Sequence, residues 1–117
     1  MAGGGAIAFV DAKIKQRPVM LFSKTHSPDC KEIKSILKQY SMSPHVCEIT
    51  EIDARQDCTQ IDNYFQTICL TDRREVPQLF VRSRYIGGAR EIVRLHASGE
   101  LENVFQEAEV EYKLIKS

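Results

Sequence analysis

Residues 19–30 have the sequence VMLFSKTHSPDC, in which a short apolar run passes through polar residues into the signals of a helix start. The four consecutive apolar residues at 19–22 are typical of a strand that is buried on both faces. Ser27 is a favoured N-cap, Pro28 suits the first helical position, and Asp29 places a negative charge in the first turn. The segment therefore predicts a buried strand that leads directly into a helix.

The rest of the chain alternates between helical and strand patterns. We predict a helix up to about Lys15, a strand at 19–22, a helix from Pro28 that ends before Pro44, a strand at 45–50, a helix around 61–69, strands at 78–81 and 84–86, a helix ending near Gly99 and a last helix from Leu101 to Ile115. A strand–helix–strand unit predicts parallel strands, and the short polar turn of the later hairpin predicts antiparallel ones. The order α-β-α-β-α-β-β-α-α therefore predicts an α/β fold with a four-stranded mixed sheet flanked by helices.

Length and composition describe a single soluble domain. A chain of 117 residues suits one hydrophobic core, and its 43% hydrophobic and 27% charged residues are ordinary values for a globular protein. Sixteen basic residues balance sixteen acidic ones. Because no net charge draws the chain to polyanions, we expect neither nucleic acid nor a membrane surface among its partners.

The N-terminal region contains a run of glycines and no targeting pattern. Residues 3–5 are all glycine, which predicts a mobile end. The first residues lack the basic and long apolar regions of a secretory signal, so we expect a cytoplasmic protein. We assign residues 1–15 to an N-terminal extension with a short helix and residues 16–117 to the main domain.

The chain has four cysteines, Cys30, Cys47, Cys58 and Cys69, and a cytoplasmic location predicts free thiols. No pair has a close metal-binding spacing such as C-x-x-C, so no metal is expected. Cys30 differs from the others because it lies in the first turn of a predicted helix, where the helix dipole and Lys24 would stabilise a thiolate. It is therefore the most reactive candidate, and the alternative is a small packing residue.

The motif at residues 24–30, KTHSPDC, is followed by Val76-Pro77 and then by Gly87-Gly88 with Glu91 shortly beyond. In this order and at these separations the chain resembles glutaredoxins, whose pattern is K-T-x-C-P-x-C at a helix start, V-P before a strand and G-G after the next strand. The resemblance covers roughly residues 16–101. It implies a thioredoxin-like fold of the glutaredoxin type and glutathione-dependent thiol–disulfide exchange, with thiol-containing client proteins as further partners.

The resemblance assigns to glutathione the residues Lys24, Val76, Pro77, Gly88, Arg90 and Glu91. Lys24 would meet the glycine-end carboxylate, with Arg74 as a weaker candidate for the same group. Val76 would pair with the ligand backbone beside a cis Pro77. Gly88 would let the chain approach the γ-glutamyl end, near Arg90 and Glu91. Each also has a plainer interpretation, such as a strand entry, a turn or a solvated side chain.

Ser27 departs from the family pattern because it stands at the position of the nucleophilic cysteine. A serine hydroxyl is a poor nucleophile without a positioned base, and it cannot form a disulfide. His26 is adjacent, but nothing in the sequence orients its imidazole. The dithiol cycle is therefore unavailable, and Cys30, at the resolving position, is the remaining site thiol. Asp29 stands where the family often has an aromatic residue and would oppose a thiolate on Cys30.

Three functions agree with these residues. The first is glutathione-dependent exchange through Cys30 in an atypical S-P-D-C site. The second is a catalytically silent module that binds glutathione or a client protein. The third is an engineered Cys-to-Ser variant of a dithiol glutaredoxin. The sequence leaves all three open.

Overall fold

The helices and strands follow the predicted order. The computed structural model describes residues 4–68 and 77–115. It contains α1 (Gly4–Gln16), β1 (Val19–Ser23), α2 (Pro28–Lys38), β2 (Cys47–Glu51), α3 (Cys58–Ile68), β3 (Gln78–Val81), β4 (Arg84–Gly87), α4 (Ala89–Ser98) and α5 (Glu100–Glu107). Within these residues, no helix has the length and apolar character required to cross a membrane.

The four strands form one mixed sheet in the order β2-β1-β3-β4. β1 runs parallel to β2, with Val19 opposite Cys47, and antiparallel to β3, with Leu21 opposite Leu79. β3 and β4 form the predicted antiparallel hairpin, with a register shift between Leu79 and Phe80. The fold class is therefore confirmed, and β1 occupies an interior position with a strand on each side.

Each face of the sheet carries its own buried cluster. Successive side chains of a strand point to opposite faces, so Met20 and Phe22 pack with residues of α1 and α3, whereas Val19 and Leu21 pack with residues of α2, α4 and α5. The ring of Phe22 lies 5.1 Å from that of Phe65, measured between centroids. The apolar run of β1 thus supplies the centre of both clusters, as its unbroken hydrophobicity predicts.

Helix α1 begins at Gly4, so the expectation of a mobile end over residues 3–5 is wrong for Gly4 and Gly5. Ala6, Val10 and Ile14 are buried in the cluster formed with α3. Packing of this face outweighs the low helix propensity of glycine, because most helical stability in proteins comes from tertiary contacts. The N-terminal segment therefore packs on the rest of the fold, and its boundary at residue 15 stays a prediction.

Helix α5 ends at Glu107, so the prediction of a last helix reaching Ile115 is wrong. Glu109 adopts a left-handed conformation with φ of 57° and donates its N–H to the carbonyl of Gln106. The N–H of Val110 bonds the carbonyl of Phe105 at 2.9 Å. These two bonds form a Schellman motif, which ends the helix while burying Val110.

The residues after α5 pack against the end of α2. Tyr112 places its ring 5.9 Å from that of Tyr40, and Lys113 donates its N–H to the carbonyl of Tyr40 at 2.9 Å. Residues 110–115, the second half of that apolar pattern, therefore lie outside any helix. Such contacts with α2, distant in sequence, are invisible to local patterns.

Removal of the Phe22 side chain should produce a large loss of stability. Phe22 is fully buried between α1, α3 and the sheet. We expect Phe22→Ala to lower the free energy of unfolding by about 3–5 kcal/mol in urea titrations. As a control, Val93→Ala on α4, where the side chain is exposed, should change it by less than about 0.5 kcal/mol. Equal losses in the two variants would contradict the packing described here.

Candidate functional site

The candidate site lies where β1 passes into α2, at the residues singled out by the sequence. Ser27 has extended backbone angles, and its hydroxyl accepts a hydrogen bond from the N–H of Cys30 at 3.3 Å. Pro28 follows in the first turn of α2. Ser27 is thus the N-cap of α2, as its residue type predicts, and its oxygen has a structural role there.

The Cys30 thiol is enclosed. The residue has no exposed surface and belongs to the cluster that contains Met20 and Phe22. Its Sγ accepts a hydrogen bond from the N–H of Lys24 at 3.4 Å. The structure therefore places Cys30 in the first turn of α2 as predicted, and it shows that the thiol is buried, which the sequence left open. A disulfide substrate cannot contact this sulfur without a local opening of the structure.

Lys24 forms an ion pair with Asp62 of α3. Its Nζ lies 3.1 Å from Asp62 Oδ2, and both side chains are partly buried. The cation that the resemblance assigns to a glutathione carboxylate is therefore beside a carboxylate of the protein itself. The sequence analysis did not identify Asp62, because 38 positions separate it from Lys24.

Asp53, in the turn that follows β2, contacts Thr25 and His26, which follow Lys24 in the loop between β1 and α2. The Thr25 hydroxyl donates a hydrogen bond to Asp53 Oδ2, and His26 Nε2 lies 3.2 Å from the same oxygen. The Thr25 hydrogen bond is the main cause that lowers the pKa of Asp53, and the charge of His26 adds to it. The sequence shows nothing that orients His26, whereas the structure directs its ring to Asp53. The Ser27 hydroxyl accepts from the Cys30 amide instead.

The other described cysteines lie in surroundings that disfavour a thiolate. Cys58, the first residue of α3, is close enough to Lys24 and Asp62 for both charges to act on it. Burial raises its pKa, with Lys24 opposing this effect and Asp62 adding to it. Burial also raises the pKa of Cys47 to about 11. Neither thiol is activated for exchange, since the thiolate is the reactive form.

Pro77 and the glycine pair meet on another part of the site, as the resemblance implies. A side chain on Gly88 would place its Cβ 3.3 Å from the carbonyl of Pro77, and one on Gly87 would collide with Glu91. The N–H of Gly88 donates to Glu91 Oε1 at 2.9 Å. Glu91, at the third position of α4, thus accepts from the N–H of the residue that caps the helix.

The remaining predicted residues add little to this geometry. Arg90 is exposed at the start of α4. Val76 and Arg74 lie outside the described residues, as does Cys69. In the described part of the chain, no group of three or more His, Cys, Asp or Glu residues is arranged to hold a metal ion.

Comparisons with known proteins agree on one family. The Glutaredoxin family model matches residues 19–86. The chain is 34% identical to glutaredoxin-1 of Bos taurus over 96 residues, covering 82% of this chain and 89% of the relative. It is 36% identical to glutaredoxin-1 of Homo sapiens over 93 residues, covering 80% and 86% respectively.

Solved structures show the same relation. The crystal structure of oxidized glutaredoxin 2 from Chlamydomonas reinhardtii aligns with a TM-score of 0.79 and 27% identity, over 93% of this chain and 98% of that one. A buckwheat glutaredoxin–glutathione complex aligns with a TM-score of 0.80 over 93% and 94% of the two chains. At 23% identity, the buckwheat protein shows a likeness of fold.

Loss of the Ser27 cap should weaken α2. We expect Ser27→Ala to lower the free energy of unfolding by about 1 kcal/mol, because the Cys30 N–H loses its acceptor. Ser35→Ala is the matched control, since Ser35 is exposed in the interior of the same helix and alanine is the better helix former there. Urea unfolding monitored by circular dichroism measures both. If Ser27→Ala were as stable as Ser35→Ala, the capping role would be refuted.

The Thr25–Asp53 hydrogen bond should be visible in a carboxyl titration. Thr25→Val removes the donor, so the pKa of Asp53 should rise toward its ordinary value in NMR titrations. A lowered folded pKa stabilises the protein above the unfolded pKa, near 4, and this contribution disappears as pH falls through the folded pKa. The wild type should therefore exceed the variant in stability at neutral pH, and the difference should shrink in acid.

Asp57 provides an internal control for that titration. The Arg55 hydrogen bond is the main cause that lowers its pKa, and Thr25 is not among the causes. Its titration should therefore be the same in the wild type and in Thr25→Val. An unchanged Asp53 pKa in the variant would show that Thr25 does not hold this carboxylate.

Proposed function

Because the chain belongs to the glutaredoxin family of thiol–disulfide oxidoreductases, we propose that it acts in glutathione-dependent exchange through Cys30, its remaining site thiol. The observation that carries this proposal is the position of Cys30 in the first turn of α2, with the Lys24 N–H directed at its sulfur. Backbone donors and the helix dipole favour negative charge at that point. Ser27 lacks a thiol, so the proposed reaction uses a single cysteine.

The proposed step is a thiol–disulfide exchange with oxidised glutathione. The Cys30 thiolate attacks one sulfur of the disulfide and forms a mixed disulfide with it. The original sulfur–sulfur bond breaks, and the departing glutathione thiolate takes up a proton. Since Cys30 is fully buried, residues 24–27 have to open first, and the reaction should be slower than that of an exposed thiol.

Glutathione is the proposed ligand because the family uses it. The adjacency of Pro77 and Gly88 supports a ligand-binding surface next to the start of α2. Lys24 would lie at the glycine end, and the start of α4 would receive the γ-glutamyl end with Arg90 nearby. For the cellular location we propose the cytoplasm, where the thiols of Cys30, Cys47 and Cys58 would stay reduced.

A module that binds glutathione or a client protein without turnover is the second candidate. The burial of Cys30 and the capping role of Ser27 favour it, because neither group is free to attack a disulfide. The two candidates differ in whether Cys30 ever forms a covalent adduct.

Intact mass and peptide mapping after treatment with oxidised glutathione separate the candidates. We expect one slow adduct on Cys30 in the wild type and its absence in Cys30→Ala. Cys58→Ala is the matched control and should retain the adduct. No adduct on Cys30 in the folded protein would reject exchange and leave the binding module. In Ser27→Cys, an accessible nucleophile is restored, and we expect the exchange rate to rise by roughly 100-fold or more.

A further inference from the structure

The Lys24–Asp62 pair changes the charge that the site offers to a ligand. The two groups are 3.1 Å apart, with side chains 29% and 15% exposed, so they attract each other under limited solvent screening. A lone lysine would present a positive charge to an incoming carboxylate. Together the two groups carry no net charge, and any anion close to Lys24 also comes close to Asp62.

The two other aspartates close to the start of α3, Asp57 and Asp53, already contact other residues. Asp57 pairs with Arg55 at 2.8 Å, and Asp53 accepts from Thr25 and lies beside His26. Asp57 and Asp53 are therefore already paired within the protein, whereas Asp62 pairs with Lys24 itself. The Cys58 thiol lies among the same charges. Burial is the main cause that raises its pKa; Asp62, Asp53 and Asp57 add to this effect, and Lys24 opposes it.

We propose that Asp62 is a specificity-determining residue, which directs the site to glutathione whose glycine carboxyl is masked as an amide. This inference rests on the proposed function, in which Lys24 lies at the glycine end of the ligand. Free glutathione brings a carboxylate to a neutralised cation and to the aspartate beside it. An amide removes that repulsion while leaving the thiol and the γ-glutamyl group unchanged.

The amide also supplies a hydrogen-bond donor that Asp62 can use. Only Oδ2 of this carboxylate contacts Lys24, and Oδ1 is buried without a hydrogen-bond partner among the described residues. A buried carboxylate oxygen that accepts no bond is unfavourable. After a rotation of the Asp62 side chain, a carboxamide N–H at the ligand's glycine end can donate a hydrogen bond to Oδ1. A carboxylate has no hydrogen to donate. Asp62 thus discriminates by attraction as well as by repulsion.

Calorimetric titration of the full chain with reduced glutathione and with glutathione amide tests the inference. We expect the wild type to bind the amide about tenfold more tightly at low ionic strength. Asp62→Asn removes the negative charge that contacts Lys24 and should reverse the order in favour of free glutathione. Lys24→Gln leaves Asp62 unpaired and should widen the wild-type preference for the amide.

Asp57→Asn is the matched control for the Asp62 variant. It removes one negative charge beside the same helix start but leaves the Lys24–Asp62 pair intact, and asparagine is an equally good residue before a helix. Its ratio of affinities for the two ligands should equal that of the wild type. Circular dichroism of every variant confirms that the fold is retained.

The outcomes distinguish the inference from the proposed function. Tighter binding of free glutathione by the wild type, with the same ratio in Asp62→Asn, would overturn the role of Asp62 and leave glutathione binding in place. Absence of binding of both ligands at millimolar concentration, in folded wild type and Asp62→Asn, would overturn the proposed function and the inference with it.

Discussion

Burial of β1 on both faces is the constraint on which the rest of the structure depends. The side chains of residues 19–22 are completely inaccessible, and they divide between the two clusters that join the helices to the sheet. Because the strand cannot shift without exposing one cluster, the point at which the chain leaves it is fixed. The loop of residues 24–27 and the start of α2 are therefore held at a defined position beside β2 and β3.

The loop itself is held by polar contacts with the α3 side of the molecule. Lys24 pairs with Asp62, Thr25 and His26 contact Asp53, and Ser27 caps α2. At the start of α4, Glu91 occupies the N–H of Gly88 in a similar way. A ligand that used the same groups would replace contacts within the protein. The net gain from each new bond is then small, since an existing bond is lost, and selectivity depends on differences between closely similar partners.

Burial of Cys30 and the presence of Ser27 act on the chemistry in the same direction. The Ser27 hydroxyl accepts from a backbone amide, and the Cys30 sulfur accepts from the Lys24 N–H with no exposed surface. Opening of the loop would expose the sulfur but would break the contacts of Asp53 and Asp62. Exchange through such an opening would couple the stability of these contacts to the reactivity of the thiol.

Local patterns in the sequence determined the order of the elements, the mixed sheet, the cap at Ser27 and the glycine pair beside Glu91. They did so because strand burial, helix capping and turn formation depend on residues close in sequence. Tertiary structure decided the rest. The end of α5 depends on a Schellman turn and on contacts with Tyr40. The packing of α1 depends on its face of Ala6, Val10 and Ile14, and the burial of Cys30 depends on the cluster around Phe22. The partners of Lys24 and His26 come from aspartates 38 and 27 positions away. Such charges meet only when the sheet brings β1 and the segment after β2 side by side. A local sequence pattern cannot predict contacts between residues so far apart in the chain.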